Sequence, residues 1–209
     1  ATRAGLVKKS KLTDFDSTRS GGLIGINLRD EDELVGAVLC AAEDDLLLVS
    51  AEGQSIRFSA TDEVLRPMGR ATSGVFGMRF RPGDELLSIA VVQPSLFLLV
   101  APAGGYAKRT PIDDYPVQGR GGKGVLTIQY DRRRGKLVGA LIVDIDDALY
   151  AIPSTGGVLP TTAHEGAQDR RPTNRARLLN LGERAALAAV HPHTPDAAHP
   201  PPRAPPPAA

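Results

Sequence analysis

The feature that most constrains the fold of this chain is a repeat of about 50 residues. Gly5, Gly53, Gly105 and Gly157 begin similar segments, at spacings of 48, 52 and 52 residues. The segments contain short runs rich in Val, Ile and Leu, which Gly, Asp or Pro separate. Such runs are typical of β-strands joined by hairpins, and four of them in about 50 residues are typical of a propeller blade. Because one blade cannot bury both of its faces, successive blades must stack around an axis.

This pattern predicts an all-β fold, a β-pinwheel or propeller-like arc of four-stranded antiparallel blades, over residues 1–190. The last copy is degraded, since Leu159-Pro160 stands where other copies carry basic pairs and Arg175 stands where they carry Gly. Residues 184–190 are rich in Ala, but their register with three strand copies predicts a strand. The four repeats are placed at 2–50, 51–101, 102–152 and 153–190.

Residues 191–209 are predicted to form a disordered Pro/Ala-rich tail. They hold eight of the 17 prolines and no apolar residue larger than Ala, so they cannot build a core. Elsewhere no apolar run is long enough for a transmembrane helix, and the first ten residues do not resemble a signal peptide. The single cysteine, Cys40, excludes a disulfide framework and is consistent with the reducing cytoplasm. Because no initiator Met is present, we expect a fragment of a longer protein.

The charges separate within each repeat although the whole chain carries only +1. Acidic residues fall at the hairpin turns, and basic residues fall on the first run of a repeat and the loop after it. Since the first strand occupies the same place in every blade, these cations should recur around one surface, which would bind a polyanion through its phosphates. An ordinary solvated face is the alternative, and repetition in three copies favours the binding surface. The predicted DNA-binding residues are Lys8, Lys9, Lys11, Arg19, Arg57, Arg66, Arg70, Lys108 and Arg109.

A glycine-rich loop lies between the first and second runs of the third repeat. Four glycines let its backbone take positive φ and approach another surface closely, and two cations supply charge. It is not a P-loop, because Gly follows the Lys, and no helix follows as a dinucleotide site requires. Both a flexible turn and an anion-binding loop fit the residues. The loop consists of Gln118, Gly119, Arg120, Gly121, Gly122, Lys123 and Gly124.

This loop resembles the box motif, Q-R-R-G-G-K-G, of the C-terminal DNA-wrapping domain of the DNA gyrase A subunit, with Gly119 in place of an Arg. The segments Gly5-Leu-Val-Lys-Lys-Ser and Gly104-Gly-Tyr-Ala-Lys-Arg-Thr fit the same family. The resemblance implies a six-bladed β-pinwheel with strands exchanged between blades, of which this chain would hold about four. It also implies that the main box lies upstream of Ala1 and that this loop is the second, variant box of some gyrases.

The resemblance further implies a non-catalytic domain that wraps double-stranded DNA, largely independent of sequence, for ATP-dependent negative supercoiling by a type II topoisomerase. Its partners would be the gyrase A core and the B subunit in a bacterial cytoplasm, without a membrane. No cofactor or metal is expected in this chain, since ATP and Mg²⁺ would act in other domains. No His or Tyr stands in a catalytic motif, and the pairs Asp44-Asp45 and Asp146-Asp147 suit turns. The alternatives are the C-terminal domain of a topoisomerase IV A subunit, which usually lacks the box, and a protein-interaction propeller.

Overall fold

A computed structural model describes residues 1–17, 20–171, 176–177 and 186–193 of the chain, and these residues form strands, turns and loops with no α-helix among them. This confirms the all-β prediction. Short 3-10 helices cover Leu12–Phe15, Ile112–Asp114 and Ala163–Glu165. The strands are β1 (Leu6–Val7), β2 (Asp45–Ser50), β3 (Gln54–Ser59), β4 (Val75–Phe76), β5 (Leu86–Val91), β6 (Phe97–Pro102), β7 (Tyr106–Pro111), β8 (Val125–Leu126), β9 (Leu137–Val143), β10 (Ala148–Pro153), β11 (Leu159–Thr162), β12 (Ala167–Gln168), β13 (Ala176–Arg177) and β14 (Leu187–Pro192).

The strands form successive antiparallel blades whose centre is a hairpin across a repeat boundary. One blade has the strand order β5-β2-β3-β8, and the next has β9-β6-β7, with β13 paired to β7. The hairpins turn at Gly53 and Gly105, both with positive φ, which glycine adopts without strain. We call the end of the strands at which these two hairpins turn the hairpin end of the blades. The 3-10 helices and the loops between blades lie at the other end of the strands, the turn end.

The central strands are apolar on both faces because each blade lies between two cores. In β2, Leu46 and Leu48 belong to one buried cluster, which also contains Val7 of the first repeat. Leu47 and Val49, on the opposite face, belong to a second cluster with Leu98 and other residues of the next blade. A strand buried on both faces reads as a continuous hydrophobic run, as this one does.

The outermost strand of a blade comes from the following repeat, which confirms the exchange of strands between blades. Leu6 pairs with Phe76, Gln54 with Leu126, and Ala107 with Ala176. At the opposite edge of the blades, β5 contacts β9 and β9 contacts β14. These strands therefore line the axis, and the exchanged strands β4, β8 and β13 lie at the periphery. We call the periphery, formed by the exchanged strands and the loops before them, the outer rim.

Some runs predicted as full strands are short or irregular in the structure. Runs 74–80 and 124–130 pair over two residues each. The ladder of the first ends where the N–H groups of Gly77 and Met78 both donate to the carbonyl of Gly5. Runs 22–28 and 32–39 of the first repeat form no strand; Leu34 makes a single bridge to Thr2. A run without a partner strand cannot form a ladder, and the second of these runs makes only scattered hydrogen bonds to residues 1–4 in place of one.

The last repeat forms a sheet of order β11-β10-β14, and β14 confirms the predicted strand in the Ala-rich stretch. The structure differs from the sequence prediction at 191–193, which belong to the sheet and not to the tail. His191 pairs with Tyr150, and the N–H of His193 donates to the carbonyl of Ala148 at 2.8 Å. The paired edge of β10 extends past Val190 and orders these residues despite the neighbouring prolines. The remainder of the predicted tail, 194–209, lies outside the described residues, and so does Arg175, which stands where other copies carry Gly.

Glycine with positive φ stands at the entry to the exchanged strands β4 and β8, which gives a stability prediction. Gly124 has φ +70°, and a Cβ on it would lie 2.0 Å from the carbonyl oxygen of Ser55. We expect Gly124→Ala to lower the free energy of unfolding by at least about 2 kcal/mol, because strain and overlap add. Chemical denaturation followed by circular dichroism measures the change. The control is Gly119→Ala, where a Cβ meets nothing within 4 Å; equal losses in the two variants would contradict the account.

Candidate nucleic-acid interface

Basic side chains at one position of the first strand reach into the next repeat. Lys9, Arg57 and Arg109 are equivalent by the repeat, and each donates hydrogen bonds to the turn about 50 to 58 residues ahead. Arg57 also forms an ion pair with Asp45 at 2.8 Å. These contacts satisfy carbonyl groups of the turns and join neighbouring blades. The acceptors are the carbonyl of Ala60 and the carboxylate of Asp62 for Lys9, the carbonyls of Ile112 and Tyr115 for Arg57, and those of Ala163, His164 and Gly166 for Arg109.

A second cation repeats the same kind of contact one residue earlier. Lys8 donates to the carbonyl of Arg70, and Lys108 donates to the carbonyl of Arg170, at 3.2 Å in the second case. Both acceptors lie 62 residues ahead of their donor. Lys108 is only 1% exposed. The pKa of Lys8 is lowered, mainly by burial and to a smaller extent by the positive charge of Arg70. These lysines hold the peripheral loop of the next repeat.

The glycine-rich loop of the third repeat, residues 118–124, binds the preceding blade. In the second repeat, Ile56 stands at the position of Lys8 and Lys108, so this boundary has no lysine contact of that kind. Arg120 reaches back to the carbonyls of Val64 at 2.9 Å and Phe76 at 2.8 Å. The N–H of Gly121 donates to the carbonyl of Gly77, and the carbonyl of Gly122 accepts from the N–H of Arg79. The glycines let the loop lie flat on the preceding blade. The loop is therefore held in place by both backbone and side-chain bonds.

The structure does not bring the predicted cations together on one exposed surface, so the predicted stripe on the first strands is corrected. Lys108 and Arg109 are buried, and the side chains of Lys9 and Arg57 are 14% and 18% exposed. They serve carbonyl groups between blades, a role that the sequence pattern alone does not distinguish from phosphate binding. Lys8, Arg70 and Arg120 are half-buried, and Arg19 lies outside the described residues.

Exposed cations lie in two places: on the outer rim and beside it, and in the hairpin-end turns, where Arg81, Arg132 and Arg133 are exposed. Among the predicted residues, those on the rim or beside it are Lys11, Arg66 and Lys123. The structure adds Arg29 and Arg79, which the repeat pattern did not single out. Arg79 lies within run 74–80 and Arg29 directly follows run 22–28, so neither lies on the first run of a repeat, where the basic pattern predicts the binding cations. We call Lys11, Arg29, Arg66, Arg79 and Lys123 the rim cations.

The turn end of the blades carries the opposite charge. Exposed carboxylates occupy the loops there and would repel a polyanion. Lys11 and Arg66 border these carboxylates, since they line one surface depression with Asp62 and Glu63. The exposed acidic residues include Asp14, Asp16, Glu43, Asp62, Glu63, Asp113, Asp144, Asp146, Asp147 and Glu165.

The described residues offer little for catalysis or metal binding. No group of three or more His, Cys, Asp or Glu side chains among them could hold a metal ion. Asp44 and Asp147 accept N–H groups of their own turns, as expected for turn carboxylates. Tyr115 is buried, which raises its pKa to about 12. No helix in the described ranges is long and apolar enough to cross a membrane.

The fold and its periphery define a class: a propeller-like domain of strand-exchanged blades with a basic outer rim. A family model described as "DNA gyrase C-terminal domain, beta-propeller" matches residues 1–41, 44–93 and 98–144. The chain belongs to this family.

Relatives and solved structures agree with that assignment. The chain is 71% identical to the DNA gyrase A protein of Mycobacterium leprae over 190 residues and 54% identical to that of Streptomyces coelicolor over 195 residues. It covers 15% and 23% of those proteins, with 91% of its own length matched in each. A DNA gyrase A C-terminal domain matches with a TM-score of 0.78 and 26% identity, over 91% of this chain and 63% of that one. A DNA topoisomerase IV C-terminal domain has a TM-score of 0.83 at 24% identity, over 91% and 59%, and shows the fold alone.

The buried Lys108 predicts a pH dependence of stability. Desolvation lowers its pKa from 10.5 to about 8, with Asp169 and Asp114 opposing the change and Arg171 adding to it. Below pH 8 both the folded and the unfolded chain hold the proton, so the folded state carries the full cost of the buried charge. Between about pH 8 and 10.5 the unfolded chain holds a proton that the folded chain has released, so stability rises with pH.

We therefore expect the free energy of unfolding, relative to Lys108→Met, to increase by about 2 kcal/mol between pH 7.5 and 10. The raised pKa of Tyr115 acts in the opposite direction above pH 10, but it is common to both proteins and cancels in the difference. Denaturant titrations at a series of pH values measure this quantity. A difference that does not change with pH would refute a buried, proton-losing Lys108.

Proposed function

We propose that this domain binds double-stranded DNA on its outer rim and wraps it, as the non-catalytic part of a gyrase A protein. The observation that carries the proposal is the placement of charge: five exposed cations lie on the rim or beside it, and most of the exposed carboxylates lie in loops of the turn end. A curved row of cations offers phosphate contacts to a bent duplex, and such contacts offset the cost of bending. The names of the relatives support the same activity.

Binding is largely independent of sequence. Specific reading of base edges uses a helix or ribbon inserted into a groove. The described helices are single 3-10 turns of three or four residues, too short for that purpose. Contacts from the rim therefore go to the backbone of the DNA, where they position the duplex and do not select a sequence.

In the whole enzyme the domain would present its wrapped DNA to the gyrase A core and the gyrase B protein. ATP and Mg²⁺ would be used there, and the domain itself would need no cofactor for ATP-dependent negative supercoiling in the bacterial cytoplasm. The name shared by the relatives favours gyrase over topoisomerase IV, since the likeness to the topoisomerase IV domain extends to the fold only. The glycine-rich loop agrees with this choice.

The proposal predicts a steep salt dependence of binding. If the five rim cations contact phosphates, the slope of log K against log salt should be about −4 to −5. Fluorescence anisotropy with a labelled duplex of about 40 base pairs measures this slope between 50 and 200 mM salt. Replacing Lys11, Arg66 and Lys123 together by Ala should reduce the slope by about 3, because three contacts are lost.

The matched control removes three arginines from the hairpin-end turns, Arg81, Arg132 and Arg133. It carries the same change in net charge and should keep most of the slope. A wild-type slope of only one or two, or equal losses in both triple variants, would refute DNA binding on the rim. A domain that binds no duplex would instead favour a protein-interaction propeller.

A further inference from the structure

Two exposed arginines from different repeats flank one phenylalanine on the rim. The guanidinium carbon of Arg79 lies 4.3 Å from the centre of the Phe76 ring, and that of Arg29 lies 5.9 Å from it. Both arginines are exposed, and the ring is half-buried. An arginine over an aromatic ring keeps its N–H groups free to bind an anion at the edge of the guanidinium.

The backbone around the ring is held by hydrogen bonds from three segments. Asn27 fixes the chain before Arg29 through its backbone N–H, which donates to the carbonyl of Thr72, and through its side-chain amide, which donates to that of Ala71. Arg120 donates to the carbonyl of Phe76 at 2.8 Å.

The glycine-rich loop, residues 118–124, also contacts the backbone beside Phe76, because the N–H of Arg79 donates to the carbonyl of Gly122 at 2.9 Å. Exposed Lys123 is the next residue along the loop. The two guanidinium groups therefore project from a supported backbone and lose little freedom on binding.

Neither arginine of this pair forms an ion pair with a carboxylate of the described residues. The ion pairs among the described residues involve Arg3, Lys9, Arg57, Arg134 and Lys136, and none joins Arg29 or Arg79 to a carboxylate. Asp32 interacts electrostatically with Arg29 without forming an ion pair, and its carboxylate accepts hydrogen bonds from the N–H groups of Ala4 and Glu33. Two guanidinium groups without a carboxylate partner are suited to an external anion.

We propose that Arg29, Phe76 and Arg79 form a phosphate clamp that binds the backbone of duplex DNA where it crosses from the first repeat to the second. This inference rests on the proposed function and assigns to it a defined contact. The ring orients the guanidinium groups, which donate charge-assisted hydrogen bonds to phosphate oxygens. The third repeat has Leu126 and Gln129 at the positions of Phe76 and Arg79, so the clamp is a property of the first boundary and not of every blade.

The test compares two double variants of the full 209-residue chain on the same labelled duplex of about 40 base pairs. Arg29→Ala with Arg79→Ala should lower the salt slope by about 2 and the affinity at about 0.15 M salt at least about tenfold. Arg132→Ala with Arg133→Ala removes the same charge from the tip of a hairpin-end turn and should leave the slope nearly unchanged. Thermal unfolding of each variant checks that the fold is retained.

A third variant separates orientation from charge. Phe76→Leu introduces the residue that stands at the equivalent place in the third repeat and keeps both arginines. We expect affinity to fall about two- to fivefold through loss of the ring contacts, with the salt slope preserved. An unchanged affinity for this variant would overturn the role of the ring.

The outcomes distinguish the clamp from the function on which it rests. A steep wild-type slope that Arg29→Ala with Arg79→Ala does not reduce would overturn the clamp and leave rim binding intact. Equal reductions in the two double variants would also overturn it, since the loss would then reflect net charge only. A shallow wild-type slope would contradict DNA binding itself, and the clamp with it.

Discussion

The close backbone approach at the start of the exchanged strands β4 and β8 is the constraint on which the rest of this structure depends. A Cβ on Gly74 would lie 2.4 Å from the carbonyl oxygen of Val7, and one on Gly124 would lie 2.0 Å from that of Ser55. Only glycine fits, and its positive φ turns the chain onto the edge of the preceding blade. Each blade is therefore completed by the next repeat. Neighbouring blades are linked covalently and by hydrogen bonds, so the relative placement of their outer edges is defined.

Buried and half-buried cations reinforce the same boundaries. Lys9, Arg57 and Arg109 bind the turn of the following repeat, and Lys8 and Lys108 bind its peripheral loop. A desolvated cation is costly unless its donors are satisfied, and the carbonyl acceptors satisfy them. Basic residues thus have two roles in one repeat: those on the first strand join blades, and those on the periphery remain available for phosphates. The DNA binding that we propose for the rim depends on this division.

The glycine register and the apolar runs were sufficient to predict strands, hairpin turns and stacked blades, since both follow from local chemistry. The place of the charged residues was harder to predict. The sequence Lys108-Arg109-Thr110 predicts an exposed basic strand. In the structure these side chains are buried, because carbonyl groups of the fourth repeat cover them and accept their hydrogen bonds. Arg79 was missed for a similar reason, because its backbone partner, Gly122, lies 43 residues away. The prolines near His191 likewise concealed a strand edge whose partner, β10, is distant in sequence.

The most direct measurement of the central claim, that DNA follows the outer rim, is cleavage by an iron chelate tethered to single cysteines in a Cys40→Ser background. The tether would be placed at Ala71 on the rim and, in a second protein, at Asp113 at the turn end; both residues are exposed. The account predicts strong cleavage of bound duplex from position 71 and little from position 113. Stronger cleavage from position 113 would place the DNA across the end of the blades and contradict the account.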